Sequence, residues 1–148
     1  MMKEILLEIF DRDINKLKNE IELYKNEHKL WIIEKDIKNS GGNLALHVVG
    51  NLKHFMGNIL GGIKYNRDRD GEFSKKNIPA KELIKEIDET KDAVIKTIQS
   101  LDEKEYEKIY PLDVFNKKMT NIFFLTHLAN HLNYHLGQIN YHRRILDN

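Results

Sequence analysis

The chain has 148 residues, with 24 basic and 23 acidic side chains for a net charge of +1. That length suits one domain able to bury its own core, and the near-balance of charge leaves no broad field for nucleic acid or an anionic membrane. There is no cysteine, which excludes disulfides, thiolate–metal sites and a cysteine nucleophile.

The first segment, Lys3 to Asn26, carries an apolar stripe of Ile5, Ile9, Leu17, Ile21 and Tyr24, with Leu6 and Phe10 beside it. Asp13 interrupts the stripe and reads as a partly exposed carboxylate. No secretory apolar core is present near the N-terminus and no run reaches the ~20 apolar residues of a membrane span, so a cytoplasmic location without a membrane partner is expected. An aromatic-bearing connector, with Trp31 expected in the core, ends at Asn39-Ser-Gly-Gly42, a strong break.

A second helix is expected from Asn43, taken as its N-cap, to Leu60, stopping at Gly61-Gly62. A polar loop then runs to Ile78. Its Arg67-Asp-Arg-Asp70 stretch reads as a self-paired solvated turn or as a rim able to hold an anion. Pro79 opens a third helix with Leu83, Ile84, Ile87, Val94, Ile95, Ile98 and Leu101 on its apolar side. After a second loop containing Tyr110-Pro111, the last helix begins near Thr120 and reaches Leu146. Four helices of roughly 18 to 27 residues without strand alternation predict an all-α four-helix bundle, a single domain over residues 1–148. Its two loops of about 15 residues are longer than a simple up-down bundle needs, and suggest a crossover or the rim of a site.

Six of the seven histidines fall on the second and last helices. His127, His131 and His135 lie at i, i+4 and i+8, so they stack on one face. His47, Asn51, His54 and Asn58 form a matching polar row beside Val48, Leu52, Phe55 and Ile59. Imidazoles left unpaired against an apolar face are costly, and facing helices of a bundle can join them around one ion. An open metal site needs three protein ligands. His131 and His135 supply two, and His47 or His54 can supply the third. Leu132 follows His131, so the metalloprotease pattern His-Glu-x-x-His is absent.

Three pieces carry a family resemblance: Asn39-Ser-Gly-Gly-Asn-Leu-Ala-Leu-His47-Val-Val-Gly-Asn51-Leu, Tyr65-Asn-Arg-Asp-Arg-Asp-Gly-Glu-Phe73, and His127-Leu-Ala-Asn-His131-Leu-Asn-Tyr-His135-Leu-Gly-Gln138 with its continuation to Arg144. The chain resembles the DinB-like superfamily of damage-inducible, metal-binding four-helix bundles, in a branch related to the bacillithiol- and mycothiol-type S-transferases. The resemblance covers nearly the whole chain. It implies a metal site of His47, His131 and His135. His127, Asn51, Gln138 and Tyr134 then serve as supporting or pocket residues, and His54, His28 and His142 as boundary or surface groups. Gly137 is expected to allow close packing, and Gln138 to orient a ligand or bond to a neighbouring helix. Tyr141, Arg143 and Arg144 are expected to pack or pair at the surface.

The implied cofactor is a divalent ion, zinc or nickel ahead of iron, manganese or copper. The implied activity is metal-dependent transfer of a low-molecular-weight thiol to a small electrophile in detoxification or stress. The ion lowers the pKa of a bound thiol, whose thiolate is the nucleophile. The alternatives are a hydrolase using metal-bound water and a non-catalytic metal-binding stress protein. The partners implied are the small thiol and electrophile, with a homodimer also suggested.

Overall fold

The computed structural model describes all 148 residues. Five helices follow in chain order: α1 (Met2–Glu22), α2 (Gly41–Leu52), α3 (Arg69–Ser74), α4 (Ala80–Ser100) and α5 (Asn121–Leu146). α2 runs on through a π-helical segment, Lys53–Leu60. The four long helices form an all-α bundle in which α1 packs on α4 and α5, and α2 packs on α3, α4 and α5. No helix is long and apolar enough to cross a membrane.

The core is one cluster to which all four long helices contribute, for example Phe10 and Leu17 from α1, Val48 and Leu52 from α2, Leu83 and Ile98 from α4, and Phe124 and Leu132 from α5. On α1 the buried register is Leu6, Phe10, Ile14, Leu17 and Ile21, while Ile5 is exposed. The face is therefore rotated by one position from the stripe expected there. Trp31 lies in the core, at the end of a 3₁₀ turn, Glu27–Trp31.

Three local expectations are corrected. Asp13 is buried, not at the surface; Arg12 reaches both its oxygens at 2.7 and 3.1 Å, and Asn133 of α5 donates to it at 3.1 Å. The cap of α2 is Ser40, whose Oγ accepts from the Asn43 amide at 3.1 Å. Asn43 instead donates from Nδ2 to the carbonyls of Glu72 and Lys75 at 2.9 and 2.8 Å, tying α3 to the start of α2. The polar loop before Pro79 is thus partly helical. Asp68 caps α3 by accepting from the Gly71 amide at 3.0 Å.

The second long loop is also held down. The Tyr110 amide donates to the Met119 carbonyl and the Asn121 amide to the Lys108 carbonyl, both at 2.8 Å, closing the excursion between them. The Tyr110 hydroxyl donates to the Phe55 carbonyl at 2.8 Å, pinning its base to the π-helical segment. Thr120 caps α5 through the Phe123 amide at 3.2 Å. Both long connections therefore come to rest around one region, where α2 faces α5.

Candidate metal centre

His47 on α2 and His131 and His135 on α5 converge there. Nε2 of His47 and Nε2 of His135 each lie 3.1 Å from Nε2 of His131. One nitrogen from each of the three rings falls within 4.8 Å of the other two. The i, i+4 spacing stacks the α5 pair, and the crossing of α2 brings the third ring against them edge-on.

The outward nitrogens of two rings are tied. His47 Nδ1 is 3.0 Å from Glu72 Oε1. A carboxylate only accepts, so His47 donates from Nδ1 and keeps its lone pair on Nε2. His135 Nδ1 donates to Gln138 Oε1 at 2.7 Å, with the same result. Two lone pairs thus face His131 Nε2, and that nitrogen has at most one proton to offer. At least one of the two close N···N contacts is left without a proton in either tautomer. Protonation is a poor remedy, because burial, reinforced by the neighbouring His135 and His47, pulls His131 down to about 3. A divalent cation would satisfy all three nitrogens together, and the donor set fits one.

Glu72 is itself buried and is gripped by Arg67, with Nε to Oε2 and Nη2 to Oε1 both at 2.9 Å. Burial alone would raise its pKa, but the hydrogen bonds from His47 and Arg67 outweigh that and hold it below the usual carboxylate value. Gly50, one turn beyond His47, makes room for this carboxylate: a Cβ there would overlap Glu72 Oε2 and Cδ.

Beside His47 and His131 opens a cavity of about 510 Å³. Asn51, His127, Phe55, Phe115 and Phe124 line it together with His47, His131 and both arginines, Arg67 and Arg69. His127 stays out of the three-nitrogen cluster; its ring stacks on Phe124 and meets the edge of Phe115 at 4.8 Å. Two buried atoms of the lining, Asn51 Oδ1 and His131 Nδ1, have no hydrogen-bond partner in the protein. Leaving such atoms unsatisfied costs about 1–3 kcal/mol each.

Residues 6–148 match the family described as protein of unknown function (DUF1572). The chain belongs to this family. The fold of this DUF1572 protein is similar to the crystal structure of a DinB-like protein from Bacillus cereus ATCC 10987, with a TM-score of 0.74 and 20% identity over 95% of this chain and 90% of that one. The bundle is DinB-like, as the sequence motifs suggested. No curated protein matches the sequence.

Some other residues of the DUF1572 chain keep their expected places, as His54 and Arg143 do, and others differ. Gln138 bonds within its own helix and not across to another. Tyr134 is exposed; it does not line the cavity and meets His135 at a ring separation of 5.3 Å. His54 is half-buried against Phe55, outside the cluster. His142 is fully buried, which corrects its surface reading: Nδ1 accepts from the Tyr24 hydroxyl at 2.6 Å and Nε2 donates to the Ile32 carbonyl at 2.9 Å. A Cβ on Gly137 would meet nothing within 4 Å, so no close packing depends on it. Arg143 pairs with Glu20 at 2.8 Å.

Arg67 is not self-paired within its turn, and sequence reasoning missed its true partner, Glu72. The only signal for it was an acid in a run that also holds a capping Asp68 and a glycine, which read as solvent-exposed charge. Recognising Asp68 as a helix cap would have made Glu72 part of an ordered element.

Proposed function

We propose that this protein holds a divalent metal ion on His47, His131 and His135 and uses it to transfer a low-molecular-weight thiol to a small electrophile. The observation that carries the reading is the convergence of three imidazole nitrogens whose outward partners, Glu72 and Gln138, leave their lone pairs turned toward one another. When bound, the ion would lower the pKa of a thiol or a water at its open side; zinc and nickel suit three neutral imidazoles best, with iron, manganese and copper also compatible.

The residues around it have separable tasks. Glu72, backed by Arg67, fixes the tautomer and orientation of His47. Gln138 does the same for His135. The aromatic wall of Phe55, Phe115 and Phe124 keeps water from one side and gives an apolar electrophile a surface. The chain contains no cysteine, so the thiol is a co-substrate from solution.

The test begins with metal content. The purified protein should carry about one divalent ion, and His47→Ala and His131→Ala should lose it. Unchanged content in both variants would sink the three-histidine assignment. A panel of small thiols with a chromogenic electrophile follows. A metal-dependent rate with at least one thiol is expected; turnover of esters or amides without any thiol dependence would replace transfer by hydrolysis. Metal binding with no turnover of any kind would leave a binding protein. A thiol-transferring pair would also come together as small molecules, with no nucleic-acid partner, and in a chain that we place in the cytoplasm. Whether two copies associate is read from its mass in solution.

A further inference from the structure

The cavity beside the histidines has a chemistry of its own. No acidic side chain lines it, while two arginines do. Their situations differ. Arg67 is neutralised by both oxygens of Glu72 and lies over the Phe55 ring at 5.6 Å. Arg69 makes no ion pair and no side-chain hydrogen bond; its only specific neighbour is the Phe73 ring, 5.8 Å from the guanidinium carbon. It is an exposed cation at the mouth, with an aromatic ring rather than an anion as its neighbour.

The opposite wall is aromatic. Phe115 is about half exposed, at 48% of its full accessibility. The closed excursion after Tyr110 holds it there against His127, and Phe124 and Phe55 continue the surface inward at ring separations of 6.3 and 5.2 Å. Asn51 and His131 complete the polar part of the lining. An apolar wall, polar side chains in the lining and a free guanidinium at the rim describe a site for an amphipathic small molecule.

We propose that the substrate entering this cavity is a small organic anion with an aromatic or branched apolar body, its acid group on Arg69 and its body against Phe115 and Phe124. The proposal rests on the metal reading for its location beside a reactive centre, but the recognition itself needs only Arg69 and the aromatic wall. Arg69 is thereby a specificity-determining residue: it selects charge, and Phe115 selects an apolar body.

The test is ligand binding, with no turnover required. Binding of 3-phenylpropanoate and of the uncharged 3-phenylpropan-1-ol is measured by calorimetric titration, on metal-loaded protein and on chelator-treated protein. The acid should bind about tenfold more tightly than the alcohol in both preparations, as a charge-assisted hydrogen bond to a guanidinium would give. Arg69→Gln should bring the two ligands to within about threefold of each other, and Arg69→Lys should keep part of the preference. Phe115→Ala should weaken both ligands alike. Equal binding of acid and alcohol to the native protein, or binding of neither, overturns the proposal. So does a preference for the acid that vanishes on chelation and ignores Arg69→Gln, because the anion is then on the metal. Protein that takes up no metal yet keeps the Arg69-dependent preference would refute the metal reading and support this one.

Discussion

Glu72 shows how much of the three-histidine arrangement depends on a side chain outside it. It fixes the proton of His47 on Nδ1, and Arg67 fixes Glu72 in turn. Replacing it as Glu72→Gln lets the amide offer a donor where a carboxylate could only accept, so His47 is no longer held to one tautomer. Metal affinity should fall about 10- to 100-fold, the usual cost of losing such a partner, as measured by competition with a chromophoric chelator. An unchanged affinity would mean that Glu72 serves packing alone. Gly50→Ala tests the same contact from the other side, since the added methyl overlaps the carboxylate. It should weaken metal binding in the same direction, and a variant binding as tightly as the parent would show that Glu72 can move without consequence. The histidines themselves were legible, because i, i+4 spacing on an amphipathic helix determines which side chains share a face. Glu72 was not, because its role comes from the short helix α3 docking on α2 through Asn43, a contact 29 residues apart in sequence.

Among the elements, α1 and α5 are joined by buried polar clamps as well as by apolar packing. Asp13 accepts from Arg12 and Asn133; Glu20 accepts from Asn140 at 2.7 Å and from Arg143 at 2.8 Å. Burial would raise the Asp13 pKa, yet the bonds from Arg12 and Asn133 outweigh it and lower the value. Its stabilising effect is therefore present above the unfolded pKa and is lost as pH falls through the folded one. Asp13→Ala removes the acceptor and leaves Asn133 Nδ2 facing the gap. A loss of about 2–3 kcal/mol is expected at neutral pH, from charged hydrogen bonds deleted on one side only. By differential scanning calorimetry that corresponds to a fall in Tm of roughly 5–10 °C for a chain of this size. A change under 1 °C would place Asp13 effectively in water. The helices were readable from periodicity, but this clamp was not. A carboxylate within an apolar stripe reads as a surface group until the opposite helix is known to bring a donor.

At the scale of the whole molecule, burying several imidazoles in the neutral form makes the metal-free fold sensitive to acid. Burial holds His131, His135 and His142 below their ordinary value; His131 reaches about 3, His135 also feels its Gln138 bond, and His142 its bond to the Ile32 carbonyl, both of which oppose the shift without reversing it. In the unfolded chain these groups take up protons near pH 6.5. Between that pH and the lower folded pKa the unfolded state binds more protons, so stability must decrease as pH falls and is recovered as it rises. For His131 the window runs from about 6.5 down to about 3. Each fully contributing group adds a slope of up to about 1.4 kcal/mol per pH unit. Urea denaturation of chelator-treated protein at pH 7, 6 and 5 should therefore show a midpoint that drops steadily. His142 separates this effect from the three-histidine cluster, because it is buried against Tyr24 and Ile32 two turns further along α5. His142→Leu loses two hydrogen bonds and should be less stable than the parent at pH 7. It should also lose less on acidification, its curve flattened by the one proton that its unfolded state no longer takes up. Parallel curves for variant and parent would mean that His142 titrates alike in both states; a midpoint independent of pH in the parent would mean that none of these imidazoles is kept neutral by the fold.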